Sequence, residues 1–492
     1  MKTTKKAVRA GSGLMIELWQ KNFLRSLVLI IKRKRLHKRK MKMIEISLKQ
    51  AAEWMEGTLI HANQNIMIYG VSRDSREINN GNLYIALEGE RWDGHDFLED
   101  AFQKGASGAV VNRIPQTLKR NYPLILVKDT VKALGRLAQN YRKQFSLPVV
   151  ALTGSNGKTT TKELLAHILS RKEKVLKTKG NWNNHIGVPL NLLALSKEHR
   201  YAVLEMGANH SGEIDYLSSL IEPDLGILTS IGEAHLEGFG SIEGVKKAKG
   251  ELIPHLKEKT LIINGEDPHL LEMAQKHKGR LVTYGFQSHL DFQGRIIQTT
   301  PQGSWIQIFN ESFFLPLLGR YNALNALGAI STALELGLSL KDCLDWSDFS
   351  PPSFRMEKRE FQGATFFLDC YNANPTSLQK AIETIKSLEG RKILVLGSLL
   401  ELGSHSERLH KELGEWAFYH GIELALVLGN EGYPFYHAFQ KAGGKGWFGI
   451  CPRLASKTLL SWLKPGDIVL FKGSRGAALE RIWEALLSTK AA

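Results

Sequence analysis

The sequence is poor in cysteine, has no apolar run long enough to cross a bilayer, and carries almost no net charge beyond its first forty residues. Each shortage removes a class of protein. Three cysteines in 492 residues, Cys343, Cys370 and Cys451, are odd in number, far apart and without metal-ligand spacing, which suits a reducing cytosol. The apolar stretch Leu27 to Ile31 falls far short of the ~20 residues a spanning helix needs. Arg25 interrupts it upstream and no small-residue cleavage site follows, so neither stable membrane insertion nor a signal peptide is expected. The formal charge of +16 invites a nucleic-acid reading, but residues 1–40 hold thirteen Lys or Arg against the single acid Glu17. They account for +12 and leave +4 for the other 452 residues. A nearly neutral body argues against a nucleic-acid partner. Residues 1–40, ending in IKRKRLHKRK, read as a basic, solvated and disordered extension. Met41 and Met43 stand directly before the first well-patterned segment, so the extension is expected to be an upstream-start artefact or a dispensable tail.

From Met41 onward, short apolar runs alternate with amphipathic helical stretches, the signature of α/β units. No short-period repeat interrupts them, and 492 residues are too many for one core. Three blocks separate: 41–146, 147–350 and 351–492. The first carries SRDSREINNGNLYIALEGERWDGHDF, where turn-rich polar stretches bracket a strand over Leu83 to Leu87. In the second, Leu147 to Leu152, YAVLE (201–205), GILTS (226–230) and TLIIN (260–264) lack polar alternation, as strands buried on both faces should. The third begins near Pro351 and alternates FFLDC, KILVLG, ELALVLG and DIVLFKG with helices predicted over 405–420 and 475–488, a doubly wound pattern.

The strongest local signal is Thr153-Gly154-Ser155-Asn156-Gly157-Lys158-Thr159-Thr160, set between a buried strand and a helix. Glycines there let backbone N–H groups converge on phosphates and the helix N-terminus supplies positive dipole. Lys158 can meet the terminal phosphates, and Thr159 can ligate Mg²⁺. Leu152 stands where the first glycine of G-x-x-x-x-G-K-[ST] belongs, and a tight strand-to-helix connection is the plain alternative. Glu205 ends one strand and His235 follows the next, both expected at the carboxyl edge of a parallel sheet, where open α/β sheets bind ligands. A Mg²⁺ site fits Glu205, whereas His235 suits a structural role equally well, since Mg²⁺ prefers oxygen. Lys249, on a helix expected to be capped by Ser241, can equally be a solvated helical lysine. Asn264 ends a strand where an amide could meet a base. The N-x-x-D match there lacks the usual lysine, so a GTPase reading is weak.

Together these segments resemble the Mur ligase family. TGSNGKTT, EMGANHSGEI and HLEGFGSIEGVKKAKGE are similar to its central ATP-binding domain; YNANP (371–375), GSLLELGSHS (397–406) and KGSRG (472–476) are similar to its C-terminal domain. YNANP points to the member that adds a D-alanyl dipeptide, and the D-N-P-R segment of the diaminopimelate-adding sister is missing. The resemblance implies an α/β fold of three domains: an N-terminal UDP-sugar domain at 41–146, a central P-loop parallel-sheet ATPase domain at 147–350 and a C-terminal doubly wound Rossmann-like domain at 351–492. It assigns Ser72, Asp74, Ser75, Arg76, Asp93, Gly94 and His95 to the UDP-sugar end of the substrate. Gly154, Ser155, Asn156, Gly157, Lys158, Thr159 and Thr160 go to ATP, with Asn264, Asn322, Arg355 and Asp369 around adenine, ribose and phosphates. Thr159, Glu205 and His235 are implied as Mg²⁺ ligands, Lys158, His235 and Lys249 as catalytic, and Lys249 as carbamylated. Asn372, Asn374, Lys472 and Ser474 are placed near the incoming dipeptide. Tyr321 replaces a frequent histidine of the family, Leu368 and Cys370 replace parts of a common D-D-S-Y, and Ser398 replaces an aspartate.

The implied reaction is cytoplasmic and ATP-dependent. The carboxylate of UDP-N-acetylmuramoyl tripeptide becomes an acyl phosphate, which the amine of D-alanyl-D-alanine attacks, by a chain expected to act as a monomer. Two rivals stand beside it: another amide ligase of the superfamily, such as a folylpolyglutamate synthetase, and a P-loop regulatory or nucleic-acid-binding protein that uses the basic tail.

Overall fold

A computed structural model describes residues 44–488 except 64 and 117; residues 1–40, read above as a basic extension, lie outside them. Three sheet-bearing units follow one another. In the first, five strands run in the order Thr58–Ile60, Leu124–Leu126, Gly108–Val111, Leu83–Ile85, Val71–Ser72, parallel except at the Thr58–Ile60 edge. The strand expected through Leu87 stops at Ile85. Leu87 O instead accepts from Gly94 N at 2.8 Å, closing the turn that carries Asp93 and His95. The helix Thr130–Arg142 ties this unit to the next: Tyr141 Oη donates to Leu195 O at 2.9 Å and Arg142 Nε to Ile221 O at 3.1 Å.

The central sheet has nine strands, ordered Glu311–Leu315, Gly303–Ile308, Phe292–Thr300, Leu281–Gly285, Thr260–Asn264, Leu225–Leu228, Val149–Thr153, Tyr201–Glu205, Val175–Lys177. It is parallel from Phe292–Thr300 to Val175–Lys177, and the other two strands complete an antiparallel meander. Val149–Thr153 is buried at every residue and Tyr201–Glu205 and Thr260–Asn264 at all but the first, which explains the unbroken apolar runs. From Val149–Thr153 the chain goes out to Val175–Lys177, returns as Tyr201–Glu205 and then crosses to Leu225–Leu228 on the opposite flank. That reversal leaves a crevice at the carboxyl ends of the strands.

The C-terminal sheet is ordered Glu357–Phe361, Ala364–Asp369, Ile468–Lys472, Lys392–Gly397, Leu424–Leu428, Lys445–Gly449, parallel except for its first strand. The helix expected over 405–420 spans Ser406–Tyr419. The one expected over 475–488 begins only at Glu480. Arg475–Ala477 form a 3-10 turn and Ala478 is left-handed at φ 47°, which breaks the helical path. Among the described residues no helix is long and apolar enough to cross a membrane.

Candidate active site between the central and C-terminal sheets

The glycine loop leaves the central strand in a conformation that only glycine adopts freely. Gly154 has φ 145° and a Cβ there would lie 2.2 Å from Thr229 Oγ1; Gly157 has φ 87° and its Cβ would lie 2.4 Å from Asn325 Oδ1. Thr229 and Ser230, just past the neighbouring strand, pin the loop. Ser155 N donates to Ser230 O at 2.8 Å, Asn156 N to Ser230 Oγ at 3.0 Å, and Thr229 Oγ1 to Asn156 O at 2.6 Å. The helix Lys158–Ser170 then starts with no side-chain cap, so its first-turn N–H groups are left for another acceptor. Lys158 Nζ folds back onto Gly154 O at 2.6 Å and Ser155 O at 3.2 Å. Burial lowers its pKa, with Glu205 opposing and Arg355 reinforcing.

Glu205 is 2% exposed. Its Oε1 accepts from Thr159 Oγ1 at 3.1 Å and Asn183 Nδ2 at 2.8 Å, whereas its buried Oε2 has no hydrogen-bond partner among the described residues and lies 3.7 Å from Lys162 Nζ. An under-satisfied buried carboxylate oxygen beside a hydroxyl is the hard-oxygen donor set that Mg²⁺ takes. His235 occupies a left-handed conformation, φ 53°, at the start of the short helix Leu236–Phe239. Its buried Nδ1 lies 2.5 Å from Glu401 Oε2 in an ion-pair contact that falls outside hydrogen-bond geometry, and this imidazole holds the Glu401 carboxyl below its usual range.

Lys249 is not a solvated helical lysine. Ser241 caps its helix, Ile242–Gly250, as expected, but the side chain is 1% exposed. Nζ donates to Ala208 O at 3.2 Å and stands 5.2 Å from the centre of the Phe239 ring. Burial, then the nearby Lys158 charge, brings its pKa down to about 7.

From the C-terminal side, Arg355 Nη2 donates to Thr159 Oγ1 at 3.0 Å, its guanidinium 4.4 Å over the Tyr371 ring. Asn374 Nδ2 donates to Asn156 Oδ1 at 2.9 Å. Lys472 Nζ bridges Asp369 Oδ2 at 2.7 Å and Asn372 O at 3.0 Å. Ser474 Oγ donates to Ala373 O at 3.3 Å. Asn264 and Asn322 lie farther along the same cleft, Asn322 Nδ2 donating to Leu318 O at 2.8 Å. The cleft encloses about 520 Å³. Lys158, Glu205, His235, Asn264, Arg355, Asp369, Asn374 and Lys472 all line it, while Gly154, Lys249 and Ser474 do not.

The seven N-terminal residues also stay outside it and fall in two groups, one built around Asp74 and one around Asp93. Asp74 grips Arg76 at 2.9 and 2.7 Å, which carries the aspartate pKa down to about 2, and its amide donates to Ser72 Oγ at 3.1 Å. Ser75 is buried in the turn that Asp74 caps. Asp93 caps the turn Gly94–Phe97, accepting from His95 N at 2.9 Å and meeting His95 Nδ1 at 2.6 Å. Since Asn112 N donates to His95 Nε2 at 3.3 Å, the proton of the neutral ring belongs on Nδ1. A Cβ on Gly94 would lie 2.6 Å from Leu87 N.

Sequence reasoning passed over Asn183, Asn325, Lys162 and Glu401. Asn183 had a signal in the asparagine-rich NWNNH after a strand, and Lys162 in its place one helical turn after Lys158. Glu401 lay inside the quoted GSLLELGSHS segment, but nothing local pointed to its pairing with His235, 166 residues away.

Three family models match the chain: the Mur ligase family catalytic domain over residues 67–142, the Mur ligase middle domain over 152–333, and the Mur ligase glutamate ligase domain over 354–475. The UDP-N-acetylmuramoyl-tripeptide--D-alanyl-D-alanine ligase of Bacillus subtilis strain 168 is 38% identical over 461 residues, spanning 91% of this chain and 99% of that protein. Among solved structures, MurF from Acinetobacter baumannii matches with a TM-score of 0.84 at 32% identity, over 91% of this chain and 100% of that one. MurF ligase from Thermotoga maritima in complex with ADP matches with a TM-score of 0.77 at 30% identity, over 86% and 98%. The chain belongs to the Mur ligase family.

Proposed function

We propose that the chain is the ATP-dependent ligase that joins D-alanyl-D-alanine to UDP-N-acetylmuramoyl tripeptide in peptidoglycan precursor synthesis, releasing the UDP-N-acetylmuramoyl pentapeptide, ADP and phosphate. The observation that carries this is one cleft in which a phosphate loop meets Arg355, Asn374 and Lys472 of the next unit, in a chain similar along most of its length to relatives named for that reaction. ATP lies with its phosphates at residues 157–160 and its base toward Asn264 and Asn322. The tripeptide carboxylate attacks the γ-phosphorus, and the bond to the β-phosphate bridging oxygen breaks, giving ADP and an acyl phosphate. The dipeptide amine then adds to the acyl carbon, loses a proton, and the C–O bond to phosphate breaks to leave the amide.

ATP, the nucleotide sugar and the tripeptide carboxylate are all anionic, so Lys158 exchanges its loop carbonyls for phosphate oxygens and Arg355 adds charge at the same end. Thr159, Glu205 and His235 would hold Mg²⁺, which supplies neutralisation of phosphate charge when bound. Lys249 acts as a carbamate: a buried amine with a lowered pKa is the reactive free base at neutral pH, and its carbamate oxygens restore an anion where an ammonium would repel a metal. The cluster from Ser72 to His95 takes the UDP-sugar end. Residues 41–146, 147–350 and 351–492 serve nucleotide sugar, ATP and dipeptide respectively, and their closure keeps water from the acyl phosphate. The enzyme works in the cytosol as a monomer. A product assay crossing UDP-N-acetylmuramoyl di- and tripeptides with D-alanyl-D-alanine and single amino acids tests the reading. Pentapeptide formed only from tripeptide plus dipeptide is expected, and preference for a single amino acid overturns it.

A further inference from the structure

Glu401 reaches His235 from the opposite unit. The contact at 2.5 Å joins two residues that both carry the left-handed backbone, φ 64° at Glu401 and φ 53° at His235. Such conformations in residues with a Cβ cost on the order of 1 kcal/mol or more and persist where the surroundings over-determine them. The surroundings here are specific. Leu399 N donates to His410 Nε2 at 3.2 Å and Leu400 N to Ser474 Oγ at 2.9 Å. Glu237 N, two residues past His235, crosses to Glu401 O at 3.1 Å. Gly403 allows the close approach, since a Cβ there would already lie 3.3 Å from Glu237 Cα. Three backbone anchors within three residues thus fix a side chain that is itself half exposed, more order than a solvated glutamate needs. On its other side the His235 ring meets Phe239 edge to face at 6.4 Å, and Phe239 in turn lies under Lys249 Nζ.

We propose that Glu401 is a positioning residue for His235: supplied across the cleft by the C-terminal unit, its carboxylate sits against Nδ1 as a counter-charge and leaves Nε2 as the nitrogen to bind. A carboxylate on one ring nitrogen fixes the tautomer and raises the basicity of the other, as outer partners of metal-binding histidines do. The metal end of the cleft is therefore complete only when the C-terminal unit is seated, which couples closure to metal retention. The proposal rests on the ligase reading and on His235 as a metal ligand.

The test is Mn²⁺ binding to the full chain with a non-hydrolysable ATP analogue, followed by calorimetry or electron paramagnetic resonance. Glu401→Ala is expected to weaken Mn²⁺ on the order of 10-fold, while Glu401→Gln, whose amide oxygen keeps a polar atom beside Nδ1, stays within about 3-fold of wild type. His235→Ala should lose as much as Glu401→Ala, and the double variant no more than His235→Ala. Thermal midpoints should stay together, since the Glu401 side chain is half exposed. Wild-type Mn²⁺ affinity in Glu401→Ala, or additive losses in the double variant, overturns the proposal. Failure of the wild-type chain to make pentapeptide would instead overturn the ligase reading, whatever the metal cycle gives.

Discussion

Lys158 and Lys249, on different helices, are the two lysines proposed to carry the chemistry, and burial lowers the pKa of both. Lys158 sits on its own loop carbonyls, a place it can leave for a phosphate oxygen, so Lys158→Ala should lower ligation at least ~100-fold, as loss of one charge-stabilising contact commonly does. A steady-state assay near the wild-type rate would remove the phosphate-loop assignment. Lys249 has one carbonyl partner among the described residues and a pKa lowered to about 7. Carbamate formation consumes the free amine, so at fixed dissolved CO₂ the activity attributable to the carbamate should climb as pH rises through about 7. Lys249→Ala should lose most activity and regain part with acetate or formate; rescue by short amines instead would make the working group an ammonium. The stability sign follows from the same shift. An unfolded lysine keeps its proton to near 10.5, whereas unmodified Lys249 in the fold releases it near 7. The unfolded state then binds more protons across that window, and stability rises with pH through it.

Among the elements, strand, glycine turn and helix form the unit proposed as the phosphate site. Gly157 heads the helix Lys158–Ser170 at φ 87° with Asn325 pressed against it. Gly157→Ala should cost about 1–3 kcal/mol through strain and collision, read as a loss of ADP affinity on the order of 10-fold or more. Unchanged affinity would mean the turn does not need its glycine. This unit was legible in sequence because its chemistry is local: buried strand, glycines, Lys-Thr and helix are contiguous. The capped helix bearing Lys249 was legible for the same reason, down to Ser241. What escaped was set by tertiary contact. The burial of Lys249 depends on Ala208 and Phe239 closing over it. Asn183 was not singled out because its reach to Glu205 depends on where a neighbouring strand ends. The late start of the last helix, Glu480 rather than 475, follows from a left-handed Ala478, which no composition rule would place there.

At the scale of the whole molecule, the site exists only because two sheets face each other: Asn156 meets Asn374 and Thr159 meets Arg355 across 218 and 196 residues. The basic residues 1–40 hold +12 of charge without a periodic core pattern, so a chain beginning at Met41 should keep its fold by circular dichroism and its kinetic constants. A large fall in kcat would make the tail part of the catalytic machine. One cleft is proposed to couple ATP cleavage to amide formation through a sequestered acyl phosphate. The most direct test of this coupling is phosphate release measured beside pentapeptide formation, with each substrate omitted in turn. One phosphate per pentapeptide is expected, with little release when either UDP-N-acetylmuramoyl tripeptide or D-alanyl-D-alanine is missing. Steady release of phosphate without the dipeptide would contradict it.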